Sequence, residues 1–327
     1  MHIPDGFLDA RTAVISGMVA AAGVGVAVAG LRRSLPPRRV PMVGLAAAFV
    51  FAAQMLNFPV AAGTSGHLIG GTLAAVLLGP GAAVVAMTSV LVLQCFLFAD
   101  GGVTALGANI FNMALVAPVV GYVVYRALWR LAGGGYRARL FAVAFAAWAS
   151  TVLAAIACAG QLALSGTVAW RAALPAMVGV HLLIGVGEAV ITTLVVAAVA
   201  AARPELLEPE ATTRRPQRAG LLVAQGLVVA LGLALFVAPF ACGWPDGLDW
   251  VAGRLGFSPR ALEAAGAPLA GYGVAGITSP LATAVAGAVG TLVAFALAGV
   301  LALVLGRRRP TRPGAGWTDT LPTVLGT

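Results

Sequence analysis

The chain has 327 residues, 60% of them hydrophobic and only 9% charged, with a mean hydropathy of +0.98. A water-soluble domain is normally about a quarter charged, so soluble folds are excluded, and the 42 Gly among Ala, Val and Leu suit close helix packing in lipid. The net charge of +9 rests on 20 basic residues that are all Arg; they sit in short clusters between apolar runs, a topology signal and not a nucleic-acid face. Without any Lys the chain cannot build a P-loop, so any ATP hydrolysis that drives it belongs to another subunit.

The first residues, MHIPDGFLDA, place Asp5 and Asp9 before any Arg, which is unlike the basic start of a signal peptide; Met1 is expected to be the mature terminus. Nine apolar segments follow, at 12–31, 40–58, 67–79, 81–99, 105–131, 140–164, 172–202, 220–241 and 282–306. The third is short and is separated from the fourth at Pro80, the pattern of a helix hairpin or of one broken helix. The three cysteines, Cys95, Cys158 and Cys242, form no CxxC pair and indicate neither a disulfide framework nor a zinc site.

Arginine placement checks this count. Alternate loops hold Arg32, Arg33, Arg38 and Arg39; Arg126, Arg130, Arg137 and Arg139; Arg203, Arg214, Arg215 and Arg218; and Arg307, Arg308, Arg309 and Arg312. The other side has only Arg11, Arg171, Arg254 and Arg260. The positive-inside rule makes the first set cytoplasmic, with the amino terminus outside and the carboxyl terminus inside. Residues 203–219 read as a polar, Pro-containing cytoplasmic linker between a seven-span domain (1–202) and a two-span domain (220–306). The loop of the second domain contains PDGLDWVAGRLGF, an Asp-capped turn leading into a short amphipathic stretch, and the tail 307–327 reads as disordered from Pro310 onward. The expected fold is all-α: a polytopic transmembrane bundle of seven plus two spans.

The chain has three His, and this topology puts two of them, His2 and His67, on the outside face. The terminal amine of Met1, the amide nitrogen of His2 and the His2 imidazole can close fused chelate rings on one metal ion. His67 can fill the fourth in-plane position, and four nitrogens in a plane are diagnostic of Ni(II) or Cu(II) and possible for Co(II). The PDG that follows turns the terminus back toward the protein. A histidine on a frayed end needs no function, and His67 at a helix start could simply bond a loop carbonyl; neither alternative explains two of three His on one face. Gly63, Gly66, Gly70 and Gly71 around His67 allow close backbone approach.

His181 and Glu188 are seven apart on one helix face, about 10 Å along the axis, too far for one metal. Ionisable groups inside a membrane are functional candidates, here for transport or coupling, with a polar pair bonded to neighbouring helices as the alternative. Gln54, Gln94, Asn109 and Asn112 read as interhelical hydrogen-bond partners; Asn57 stands just before the loop that leads to His67.

Three stretches in order, MHIPDGFLD at the start, NFPVAAGTSGHLIGG at 57–71 and HLLIGVGEAVIT at 181–192, resemble the M-type substrate-capture components of energy-coupling-factor cobalt/nickel transporters. The match spans residue 1 to about 200. The later half resembles the N-type partner fused to it, with Asp249 where that partner's PDGLE motif has Glu. The resemblance implies that Met1, His2 and His67 hold Ni(II) or Co(II) as transported substrate. It implies that residues 57–66 cover the site, with Asn57 and Ser65 as hydrogen-bond supports. It further implies a location in the cell's inner membrane, and work with a membrane coupling protein and cytoplasmic ATPase subunits. The partner motif resembles the nickel branch. Two other readings stand beside it. GTSG at 63–66 matches the GxSG of rhomboid-like intramembrane serine proteases, with Ser65 as nucleophile and His181 as base; and a stand-alone metal channel would need no ATPase.

Overall fold

A computed structural model describes residues 1–207, 219–262 and 266–306. Among these residues each apolar segment carries a helix. Helix α1 is Ala10–Ser34, α2 Val40–Gln54, α3 Gly71–Leu78, α4 Pro80–Phe98, α5 Leu106–Leu131, α6 Gly135–Leu164, α7 Trp170–Ala202, α8 Gly220–Phe240 and α10 Leu281–Gly306, with a short α9, Gly247–Leu255, in the loop before α10. Seven of them (α1, α4, α5, α6, α7, α8 and α10) are long and apolar enough to cross a bilayer. Helix α3, with 8 residues, reaches only about 12 Å at 1.5 Å per residue, and the chain turns back at Gly79 so that α3 and α4 form a hairpin, with Ile69 ahead of α3 packed beside Met87 and Leu91 of α4. Helix α2 has 15 residues and is buried on almost every side, as a helix that is apolar all round should be.

One expectation is corrected. The third segment does not run as helix from residue 67; the backbone from His67 to Gly70 is irregular and α3 begins at Gly71. Two features hold it out of the helix. Gly70 has φ +79°, a left-handed conformation that Gly adopts without penalty. The Glu188 carboxylate on α7 accepts the N–H groups of Ile69 and Gly70 at 2.6 and 2.9 Å, giving them a partner outside the chain's own ladder. Just upstream, β1 (Phe58–Pro59) pairs antiparallel with β2 (Ser65–Gly66), Phe58 opposite Gly66 and Pro59 opposite Ser65.

The amino terminus is packed, not frayed. Asp9 caps α1 by accepting from Thr12 N–H. Ahead of it Met1, Ile3 and Phe7 are buried in one apolar cluster with Met177 and Ile184 of α7 and with Leu248 and Val251 of α9. Burying one such side chain contributes roughly 1.5–3 kcal/mol, so the segment is held by several contacts at once. Because α1 starts beside the terminus and carries Arg32 and Arg33 in its last turn, those arginines sit at the opposite end of the bundle. Most of the linker 203–219 and the whole tail 307–327 lie outside the described residues; α7 ends at Ala202 and a 3-10 turn follows at Pro204–Leu206.

Candidate metal site at the amino terminus

Three of the expected ligating groups meet. The Met1 amine lies 2.7 Å from His67 Nε2 and 2.7 Å from Asp246 Oδ2. His67 Nδ1 faces its neighbour's carbonyl, Leu68 O, at 3.0 Å, so Nδ1 carries the ring proton and Nε2 is the lone pair that accepts from the ammonium. The His2 ring stacks on His67, with centroids 5.4 Å apart and planes 20° from parallel. Its Nε2 faces Gln94 Oε1 at 3.1 Å and its Nδ1 faces Asp100 Oδ1 at 3.1 Å. The segment is fastened further along: Ile3 N–H donates to Asn109 Oδ1, and Asp5 accepts from the backbone of Val103 and Thr104.

Asp246, from the PDGLD turn, joins the second part of the chain to this site. One of its oxygens caps α9 by accepting from Asp249 N–H at 2.9 Å, and the other faces Met1. Burial works against its ionisation, but the ammonium and His67 outweigh it and hold the carboxyl well below the usual range. Asp100 behaves alike: burial opposes its charge, while His2 and the Tyr272 hydroxyl hold it low. Asp249 goes the other way, raised to about 6 by burial and by Asp246 beside it. Burial likewise lowers His2 to about 4, with Asp100 pulling in the opposite direction and the ammonium and His67 adding repulsion. Both ring nitrogens of His2 face acceptors, Gln94 Oε1 and Asp100 Oδ1, each at 3.1 Å.

Among the described residues no group of three or more His, Cys, Asp or Glu side chains stands ready to hold a metal. A cavity of about 10 Å³, roughly one water, adjoins Met1, His67, Asp246 and His181. His181 donates Nδ1–H to Met177 O at 2.7 Å, leaving Nε2 without its proton. A Cβ on Gly247 would come within 3.1 Å of that nitrogen, so α9 needs glycine there. Glu188 lies below as the clamp on the His67 loop. Ser65 is buried and its hydroxyl donates to Trp244 O and Pro245 O at 2.7 and 3.3 Å, which ties the loop to the second part and is not the geometry of a nucleophile bonded to a base. Asn57 lies apart: its carbonyl accepts from Cys242 N–H, and it lines a lateral groove with Phe236 and Phe240 of α8. Asp246, Asp100, Gln94 and Tyr272 are site residues that sequence reasoning did not assign.

The fold and site define a multi-span membrane protein with a buried, nitrogen-rich pocket at its amino terminus. Residues 2–206 match the family described as the cobalt uptake substrate-specific transmembrane region, and residues 220–307 match the PDGLE domain. The chain belongs to the first of these families and carries the second domain after it. It is 38% identical over 299 residues (91% of this chain, 96% of the relative) to a putative fused nickel transport protein NikMN of Archaeoglobus fulgidus. It is 37% identical over 259 residues (74% and 75%) to the fused nickel transport protein NikMN of Rhodobacter capsulatus. A solved structure described as a transition metal transporter is 35% identical, with a TM-score of 0.58, over 66% of this chain and 100% of that one.

Proposed function

We propose that this chain captures Ni(II) or Co(II) for ATP-driven uptake, with nickel the favoured cation, as the substrate-binding component of an energy-coupling-factor transporter. The observation that carries the reading is the 2.7 Å separation of the Met1 amine and His67 Nε2. Adjacent nitrogens of a square-planar site with metal–nitrogen bonds of about 2.0 Å stand roughly 2.8 Å apart. The ammonium thus sits where a metal would hold the two nitrogens together once the amine loses its proton. The His2 amide nitrogen and Nδ1 complete the plane, Nδ1 turning from Asp100 to the metal.

The domain division proposed is 1–202 for capture, 203–219 as cytoplasmic linker, 220–306 as the N-type partner and 307–327 as cytoplasmic tail. The amino terminus faces outside the cell's inner membrane. The fused partner supports this reading because Asp246 and the Trp244–Pro245 carbonyls close directly over Met1 and Ser65. A membrane coupling protein and cytoplasmic ATPases complete the transporter, consistent with the missing P-loop lysine. The test is nickel uptake by cells producing the chain alone or with coupling and ATPase subunits. Uptake is expected only with the full set and is lost in His67→Ala; equal uptake by the chain alone would support the channel reading and refute this one.

A further inference from the structure

A directional chain of hydrogen bonds runs from the His67 loop to the His2 ring. It starts at a group that can only accept, the Ile69 carbonyl, which takes a bond from Gln54 Nε2 at 2.7 Å. That orients the Gln54 amide and leaves its Oε1 to accept from Gln94 Nε2 at 2.8 Å. Gln94 must therefore present its own Oε1 to His2 Nε2, 3.1 Å away. An independent anchor agrees. Tyr272 donates its one hydroxyl proton to Asp100 Oδ2 at 2.7 Å, so toward Gln94 Nε2, 3.5 Å away, it offers only a lone pair. Both anchors require Gln94 to direct its NH₂ away from His2 and its carbonyl oxygen toward it. Facing an amide oxygen that cannot turn away, His2 Nε2 must hold a proton; Nδ1 faces the Asp100 carboxylate at 3.1 Å, so the proton given up when a metal enters is the one on that side.

We infer that Gln94, anchored by Gln54 and Tyr272, is a positioning residue that retains the His2 ring proton on Nε2, so that the ring meets the metal as the Nε2–H tautomer with Nδ1 exchanging its place beside Asp100 for the metal. Only that tautomer can close the chelate ring with the amide of the same residue, because Nε2 lies too far around the ring. Gln94 sits in the π-helical turn Gln94–Phe98 that ends α4 and is fully buried; such turns re-aim a side chain out of the α-helical register. Tyr272 is held by stacking on Phe98, with centroids 4.8 Å apart, and by the Leu269 N–H bond to Leu97 O. The PDGLE part of the chain therefore reaches the terminus twice, through Asp246 at the amine and through Tyr272 at the His2 relay. The inference rests on the terminal-chelate reading above.

The experiment measures Ni(II) binding to the full chain with a native amino terminus, by calorimetry and by the visible d–d band of four-coordinate Ni(II). Gln94→Leu removes the acceptor and is expected to weaken binding ten- to hundredfold, the usual cost of losing a ligand's orienting partner, with the band unchanged at saturating nickel. Gln94→Glu still accepts from Nε2–H but sets oxygen against Gln54 Oε1; it should lower the unfolding temperature yet keep affinity within about threefold. If Gln94→Leu fails to fold, Gln54→Met combined with Tyr272→Phe serves: with both anchors removed the Gln94 amide can turn its NH₂ to His2, weakening binding at least fivefold. Unchanged affinity in Gln94→Leu or in the Gln54→Met, Tyr272→Phe double variant would overturn the relay, as would Gln94→Glu binding as weakly as Gln94→Leu. No planar-nickel band in the unsubstituted chain would overturn the chelate reading itself, and the relay with it.

Discussion

Asp246→Asn isolates the contact that ties the two parts of the chain across the site. Asp246 uses both oxygens, one on the α9 cap and one on the Met1 ammonium. Asparagine has one oxygen: if it keeps the cap, its NH₂ points at the ammonium, and if it turns, the cap is lost. The side chains of the pair are 2% and 17% exposed, so the charge left behind is largely buried. Removing one partner of a buried ion pair costs about 3–5 kcal/mol, against about 1 kcal/mol for a lost cap. The ion pair is the larger effect. A loss of about 3 kcal/mol raises the population in which the terminus is detached roughly 150-fold. Hydrogen exchange in metal-free protein reads this directly, through the amides of Ile3, Val103 and Thr104, each of which is bonded only while residues 1–9 are seated. Exchange within about twofold of the unsubstituted chain would refute the claim that this ion pair seats the terminus.

Other predictions follow from the same geometry. Glu188→Gln leaves one oxygen for two N–H donors, so a charge-assisted bond worth about 1.5–3 kcal/mol is lost; metal-free protein should unfold at lower temperature in detergent, and nickel affinity should fall about tenfold. Gly247→Ala places a Cβ 2.8 Å from Ile184 Cδ1 and 2.9 Å from His181 Cε1; overpacking of this kind costs about 1–3 kcal/mol, seen as faster proteolysis of the 241–262 loop. The pKa of His2 is lowered by burial from 6.5 to about 4, so the unfolded state binds more protons between those values; stability of the seated terminus is fully present above pH 6.5 and falls as pH drops toward about 4, as amide exchange at a series of pH values would show. Asn57→Ala, on the lateral groove, should leave nickel affinity within about twofold.

The spans were legible because lipid leaves the backbone few choices: apolar runs become helices, and Arg clusters mark their ends. His2 and His67 were legible because the chain has three His and two fell on one side of that topology. Glu188 stood out as a buried charge, but its partners are the N–H groups of Ile69 and Gly70, which carry no side-chain signature. The same bonds explain why helix begins at Gly71 and not at His67. The PDGLD turn was visible as a helix cap; that its second oxygen meets Met1, 245 residues away, is a product of packing that no local pattern encodes. Gln94 was read as an interhelical hydrogen-bond partner, as its bond to Gln54 shows, but its link to His2 and the part of Tyr272 were hidden for the same reason, since hydrogen-bond direction emerges only when the whole relay is assembled. Asn57 was misleading because nearness in sequence to His67 stood in for nearness in space, and the β1–β2 turn separates the two.

The most direct test compares Ni(II) and Co(II) calorimetry on the chain with its native amino terminus and on the same chain with two residues added before Met1. The extension turns the amine into an amide and displaces it from His67 and Asp246. Tight binding by the native form that the extension abolishes, with His67→Ala equally defective, is the result expected of a terminal chelate. Binding that ignores the extension would contradict it and move the search to the cavity bounded by His181.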